Sequence, residues 1–126
     1  MTPIVEQLHA SGDVAEDVRI LVQRLGGIDQ FIQPNERVLI KPACNSPYPY
    51  PATTDLEVIS TMVQLVRTRT SHITLADSSG VLHKPTSIAF EGMGLDVLAE
   101  EIEVPLIDLD KHEWVRCHAD RAALLT

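Results

Sequence analysis

Two residues in this chain stand where a buried strand would deliver a charge. Lys41 closes the apolar run Val38-Leu39-Ile40 and is followed by Pro42-Ala43-Cys44-Asn45. Asp77 closes a second run, Ile73-Thr74-Leu75-Ala76, and is followed by Ser78-Ser79-Gly80. In an open parallel sheet, ligands bind outside the carboxyl ends of the strands. Lys41 there can neutralise a phosphate or carboxylate, while Asp77 can accept a ligand hydroxyl or hold a metal. The plainer alternative is that the two charges pair with each other across neighbouring strand ends. The same rim collects Cys44 and Asn45, Ser78 and Ser79, and Asp108 and Asp110 from a third apolar run, with His83, Lys84 and His112 on loops of that side. The helix start at Thr53-Thr54 faces this rim too, and its free amides could hold an anion. The expected ligand-binding set is therefore Lys41, Asn45, Thr53, Thr54, Asp77 and Ser78. Thr53 and Thr54 could equally serve only as helix caps.

These positions presuppose elements. Asp13, or Ser11, caps a first helix whose apolar stripe is Val14, Val18, Leu21, Val22 and Leu25, and Gly26-Gly27 ends it. Ile28 to Ile32 reads as one further helical turn with Phe31 packed inward. A strand follows from Arg37 to Ile40 or Lys41; its lack of strict alternation suits a strand covered on both faces. Between Pro42 and Pro51 four prolines exclude a helix or a central strand. That stretch reads as a semi-rigid lip over the strand end. Thr54, with Glu57 three residues on completing a capping box, or Thr53 without such a box, caps a helix running to about Arg69, and a strand from Ile73 to Ala76 comes next. Thr86 opens a helix that Gly92 and Gly94 interrupt, Leu95 to Glu101 forms another, and Val104 to Leu109 a third strand. Trp114-Val115-Arg116 reads as a short fourth strand and Ala119 to Leu125 as the beginning of a helix. Residues 1–10 are an introductory strand or a loose arm. The alternation of helix and strand predicts an α/β fold, a three-layer α/β sandwich with a mainly parallel, Rossmann-like sheet.

Length and composition set outer bounds. At 126 residues the chain fits one α/β domain spanning residues 1–126. No apolar run approaches the roughly 20 residues that span a bilayer, and no basic-then-apolar leader opens the chain; the expectation is a cytoplasmic protein without a membrane partner. A net charge of −8 argues against nucleic acid. The two cysteines, Cys44 and Cys117, form no CxxC pair, so no iron–sulfur cluster is expected within this chain. Cys117-His118 could bind metal with Cys44 or His112; ordinary reduced thiols are the simpler account. No GxGxxG, GxxxxGK[ST] or GxSxG occurs. His83 and His112 are each isolated in sequence.

The run of Gly26-Gly27, Val38-Leu39-Ile40-Lys41-Pro42, Ala52-Thr53-Thr54-Asp55 and Ala76-Asp77-Ser78-Ser79-Gly80 resembles the domain of unknown function 362 family. Members carry a glycine pair after the first helix, a strand ending in Lys-Pro-Asn, a Thr-Thr-Asp-Pro helix start and an Asp-Ser-Pro-Gly turn. A glycine-containing helix before an aspartate-rich strand follows, matched here by Gly92-Met93-Gly94-Leu95 and Leu106-Ile107-Asp108-Leu109-Asp110. The resemblance covers about residues 13–116. Ala43 stands in place of the family's asparagine, so a hydrogen bond from that amide is lost; Leu56 and Ser79 stand in place of prolines. Members are longer, and many add a ferredoxin-like cysteine segment. The resemblance implies the N-terminal half of such a domain, a natural short form or a cut-down piece.

Three functions follow as expectations. The first is a small domain binding an anionic small molecule or a metal, with a homo-oligomer or a partner covering a sheet edge. The second is an enzyme, or the catalytic half of one, with Asp77 or His83 as base near Lys41. The third, implied by the ferredoxin-fused relatives, is an accessory protein of an iron–sulfur redox system.

Overall fold

A computed structural model of the chain describes residues 2–116. Four α-helices and three strands alternate in the order α1 (Val14–Arg24), β1 (Val38–Ile40), α2 (Leu56–Arg67), β2 (Ile73–Asp77), α3 (Thr86–Met93), α4 (Leu95–Glu101) and β3 (Leu106–Asp108). The strands form one parallel sheet in the order β1-β2-β3. The expected α/β class with a parallel sheet is what the chain adopts.

The register explains the core. Ile40, Leu75 and Leu106 are partners across all three strands, and Leu75 is fully buried while its two neighbours pack against the same core. Period-2 alternation sends Ile73 to that face as well. From α2 the stripe Ile59, Val63 and Val66 meets it, spaced as one helical face requires. Met93 and Leu95 from the α3–α4 pair complete the packing.

A strand order without reversal has a consequence for the layers. Right-handed crossovers that always step the same way place their helices on the same face of the sheet. Consistently, α2 touches α4 as well as β2, and α1 lies on α2. The opposite face carries Leu39, Thr74 and Ile107, which line an open groove of about 690 Å³ near the amino ends of the strands. No helix among the described residues covers Leu39, which stays exposed. The described residues thus supply the sheet and the helical layer on one side of it.

Several local details differ from expectation. Phe31 points outward; the short 3-10 turn Ile28–Gln30 turns Ile28 and Ile32 to the core instead. Asp55, rather than Thr54 or Thr53, caps α2, its carboxylate accepting from Glu57 N at 2.7 Å. Helix α3 continues through Gly92 and breaks at Gly94, whose φ of 81° ends one helix and begins the next. Trp114 to Arg116 is exposed and not a strand. The expected helix from Ala119 to Leu125, and Cys117, lie outside the described residues. No helix is long and apolar enough to cross a membrane among those described.

Candidate functional site

The parallel register brings the ends of β1, β2 and β3 to one rim, with Asp77 and Asp108 partners across β2 and β3. Lys41 leaves the end of β1 and places its Nζ 2.6 Å from Asp77 Oδ1. The other carboxylate oxygen, Oδ2, accepts a hydrogen bond from the backbone N–H of Cys44 at 2.7 Å. Asp77 is therefore buried, its side chain 3% exposed, with both oxygens engaged, while the Lys41 side chain remains 58% exposed. The hydrogen bond to Asp77, reinforced by its charge, raises the Lys41 pKa above its ordinary value. Burial, and then the neighbouring Asp77 charge, push the Cys44 thiol up to about 12, so it stays protonated and inert.

The proline-rich segment after Lys41 is fixed at several points. Ala43 and Thr54 bond mutually: Ala43 N donates to Thr54 Oγ1 at 2.9 Å, and Thr54 N donates to Ala43 O at 3.1 Å. The buried Thr53 donates its hydroxyl to Tyr48 O at 2.8 Å. Asn45 O accepts from Gly80 N at 3.0 Å, which ties this lip to the loop after β2. Gly92 lets the lip lie directly on α3, since a Cβ there would sit 2.3 Å from Pro47 O.

A second polar group occupies the β3 side of the rim. Lys84 pairs with Asp110, and the buried Thr86 hydroxyl donates to the same carboxylate. Thr86 Oγ1 also accepts from Ser79 N at 2.8 Å, and Ser79 Oγ donates to His83 O at 2.9 Å. The Lys84 hydrogen bond, then that of Thr86, holds the Asp110 carboxyl below its ordinary value. Asp108 accepts from Asp110 N at 3.0 Å and lies 3.7 Å from Lys111 Nζ.

Of the residues singled out from sequence, the structure joins Lys41 to Asp77 and sets Ser78 directly after it, half-buried at the end of β2. Asn45 is exposed on the lip, and its backbone meets Gly80. The Thr53 hydroxyl is spent on the lip itself, and Thr54 is braced against Ala43. His83 is half-buried, its ring edge-on to Tyr48 with centroids 6.1 Å apart. His112 is exposed. Among the described residues, no group of three or more His, Cys, Asp or Glu side chains is arranged to hold a metal ion. The Cys44 amide on Asp77 and the Thr86 bridge to Asp110 were not anticipated; a backbone donor has no residue type to betray it, and the Thr86 partner lies 24 residues away.

The family described as Domain of unknown function (DUF362) matches residues 38–125. The chain belongs to this family. The match begins at β1, so it takes in Lys41, the lip, Asp77 and the whole rim, and leaves out α1 and the Gly26-Gly27 pair. No curated protein and no solved structure matches the chain.

Proposed function

We propose that this DUF362 domain binds a small anionic ligand, a phosphate- or carboxylate-bearing molecule, at the carboxyl ends of its strands, with Lys41 as the charged anchor. One observation carries this: the Lys41 ammonium is held on a buried carboxylate while the Lys41 side chain as a whole is more than half exposed. An ammonium has three donors, and Asp77 takes one. Two donors remain for a ligand, and Asn45 on the lip and Ser78 directly after Asp77 add neutral hydrogen-bonding groups at the same strand ends. Asp77 acts from behind, orienting the lysine and keeping it charged. A metal fits this rim less well, because both Asp77 oxygens already meet donors and the ammonium beside them repels a cation. Thr53 and Thr54 support the lip that carries Asn45. Among the described residues β1 and β3 are the outer strands of the sheet, and a second copy or another partner covering one of these edges belongs to the same proposal.

Titration of inorganic phosphate at low ionic strength, followed by amide chemical shifts, tests the site, since an exposed lysine is screened by salt. Wild type should show saturable shifts at Lys41, Asn45 and Ser78. Lys41→Ala should lose about tenfold or more in affinity, in line with removal of one charge-assisted contact. Equal and negligible binding by both proteins would reject the anion site.

A further inference from the structure

The loops that flank Lys41 present an unusual surface for a chain of net charge −8. Tyr48 and Tyr50 on the lip are 60% and 67% exposed, and Val81 and Leu82 on the loop after β2 are 88% and 93% exposed. Single exposed apolar residues need no explanation, but these four lie on two loops that are tied together. Asn45 O accepts from Gly80 N, and the Tyr48 ring meets the edge of His83 at an interplanar angle of 84°.

The backbones beneath these side chains are fixed. Thr53 holds the Tyr48 carbonyl, Ala52 N donates to Pro49 O at 3.0 Å, and Pro47 sits against Gly92 in a contact that leaves no space for a Cβ. On the other loop, His83 N donates to Gly80 O at 2.9 Å and Ser79 Oγ to His83 O. The chain therefore bears the cost of ordering these backbones on folding rather than on binding, as a preorganised ligand platform does. Rigid tyrosines, with few rotatable bonds, supply contact area at low entropic cost.

We propose that the ligand of the Lys41 site is an amphipathic anion, a small molecule joining an aromatic or branched apolar body to a phosphate or carboxylate. The anionic group sits on Lys41 and the apolar body lies against Tyr48, Tyr50, Val81 and Leu82. Charge complementarity selects the occupant: the Lys41–Asp77 pair stands at the base of the two loops that bear the apolar side chains, so the partner carries both an anionic and an apolar part. Both parts rest on the anion site proposed above, and Thr53 acts as a positioning residue by holding Tyr48.

Parallel titrations with inorganic phosphate and phenyl phosphate separate the two proposals. Wild type should bind phenyl phosphate about tenfold more tightly than inorganic phosphate, the gain expected from partly burying one ring. Tyr48→Ala and, independently, Leu82→Ser should abolish that gain and leave the inorganic phosphate affinity unchanged; both side chains are exposed, so either variant should fold. Inorganic phosphate binding that depends on Lys41, with no gain for phenyl phosphate, would overturn the amphipathic ligand and spare the anion site. Binding of neither probe would remove both. Sedimentation of the protein with anionic phospholipid vesicles, with no preference for phenyl phosphate in solution, would reassign the patch to a lipid surface and overturn the small-molecule proposal.

Discussion

The carboxylate of Asp77 accepts the backbone N–H of Cys44 from 33 positions earlier in the chain, at 2.7 Å and out of solvent. The lip after β1 is thereby anchored to the end of β2 by a buried, charge-assisted hydrogen bond. Removing one partner of such a bond leaves the other unsatisfied, which costs about 1–3 kcal/mol. Asp77→Ala should destabilise the fold by about 3 kcal/mol in urea denaturation, because it orphans the Cys44 amide and opens a small void. Asp77→Asn keeps an acceptor for that amide and should cost less, while releasing Lys41 from its partner. Equal stability of Asp77→Ala and wild type would show that the anchor contributes nothing.

Gly92 is set against its own helix propensity. In the interior of α3 an alanine would ordinarily gain about 1 kcal/mol. Here its Cβ would lie 2.3 Å from Pro47 O and 2.4 Å from Pro47 Cβ, so the lip must move. Gly92→Ala should therefore lower stability by about 1–3 kcal/mol, the usual range for overpacking. It should also make residues 42–51 more susceptible to limited proteolysis. A more stable Gly92→Ala variant with an unchanged digestion pattern would mean that the Pro47 contact does not constrain the lip.

Much of the frame was legible because it rests on local signals. Apolar runs marked all three strands, and Ile40, Leu75 and Leu106 indeed meet in one row. The pairing of Lys41 with Asp77 followed once both runs were read as adjacent parallel strands. Other features depend on contacts that no window of sequence contains. Thr54 has the residue type of a cap, but Ala43 engages both its amide and its hydroxyl, so the capping role passes to Asp55. Phe31 is the largest apolar residue of its segment, yet a 3-10 turn rotates Ile28 and Ile32 inward and leaves the ring outside. The strand order likewise lies beyond local pattern, and it is the order that puts the helices on one face of the sheet.

Cys44 gives the fold a pH signature. Its ordinary pKa of 9.0 applies to the unfolded chain, and burial raises it to about 12 in the fold. Between those values the unfolded state has lost a proton that the folded state keeps. Stability contributed by this group is complete below pH 9 and falls as pH rises toward 12, at about 1.4 kcal/mol per pH unit. The raised Lys41 pKa acts in the same direction at the upper end of that window, since its contribution is also lost as pH rises. Urea midpoints measured from pH 8 to 11 should decline steeply for wild type. Cys44→Ala should start from a lower midpoint and decline less; parallel slopes would show that the thiol is not the titrating group.

Thr86 stands where three segments converge. Its hydroxyl, 1% exposed within the residue as a whole, accepts from Ser79 N at 2.8 Å and donates to Asp110, so it links the end of β2, the start of α3 and the segment after β3. Thr86→Val preserves shape and removes both bonds, leaving the buried Ser79 N–H without its acceptor. The cost should be about 1–3 kcal/mol, whereas Thr86→Ser, which restores the hydroxyl and loses only a methyl group, should recover most of it. The pH profile separates this hydroxyl from a generic packing effect. The Asp110 pKa is depressed, first by Lys84 and then by Thr86, so the stability it contributes is present above its ordinary value of 3.8 and lost as pH falls through the folded value. In Thr86→Val that acid loss should be smaller and end at a higher pH than in wild type, with the Asp110 carboxyl resonance titrating at a correspondingly higher pH. A destabilised Thr86→Val variant with an unmoved Asp110 titration would leave the bond from Ser79 N, and not the one to Asp110, as what the hydroxyl contributes.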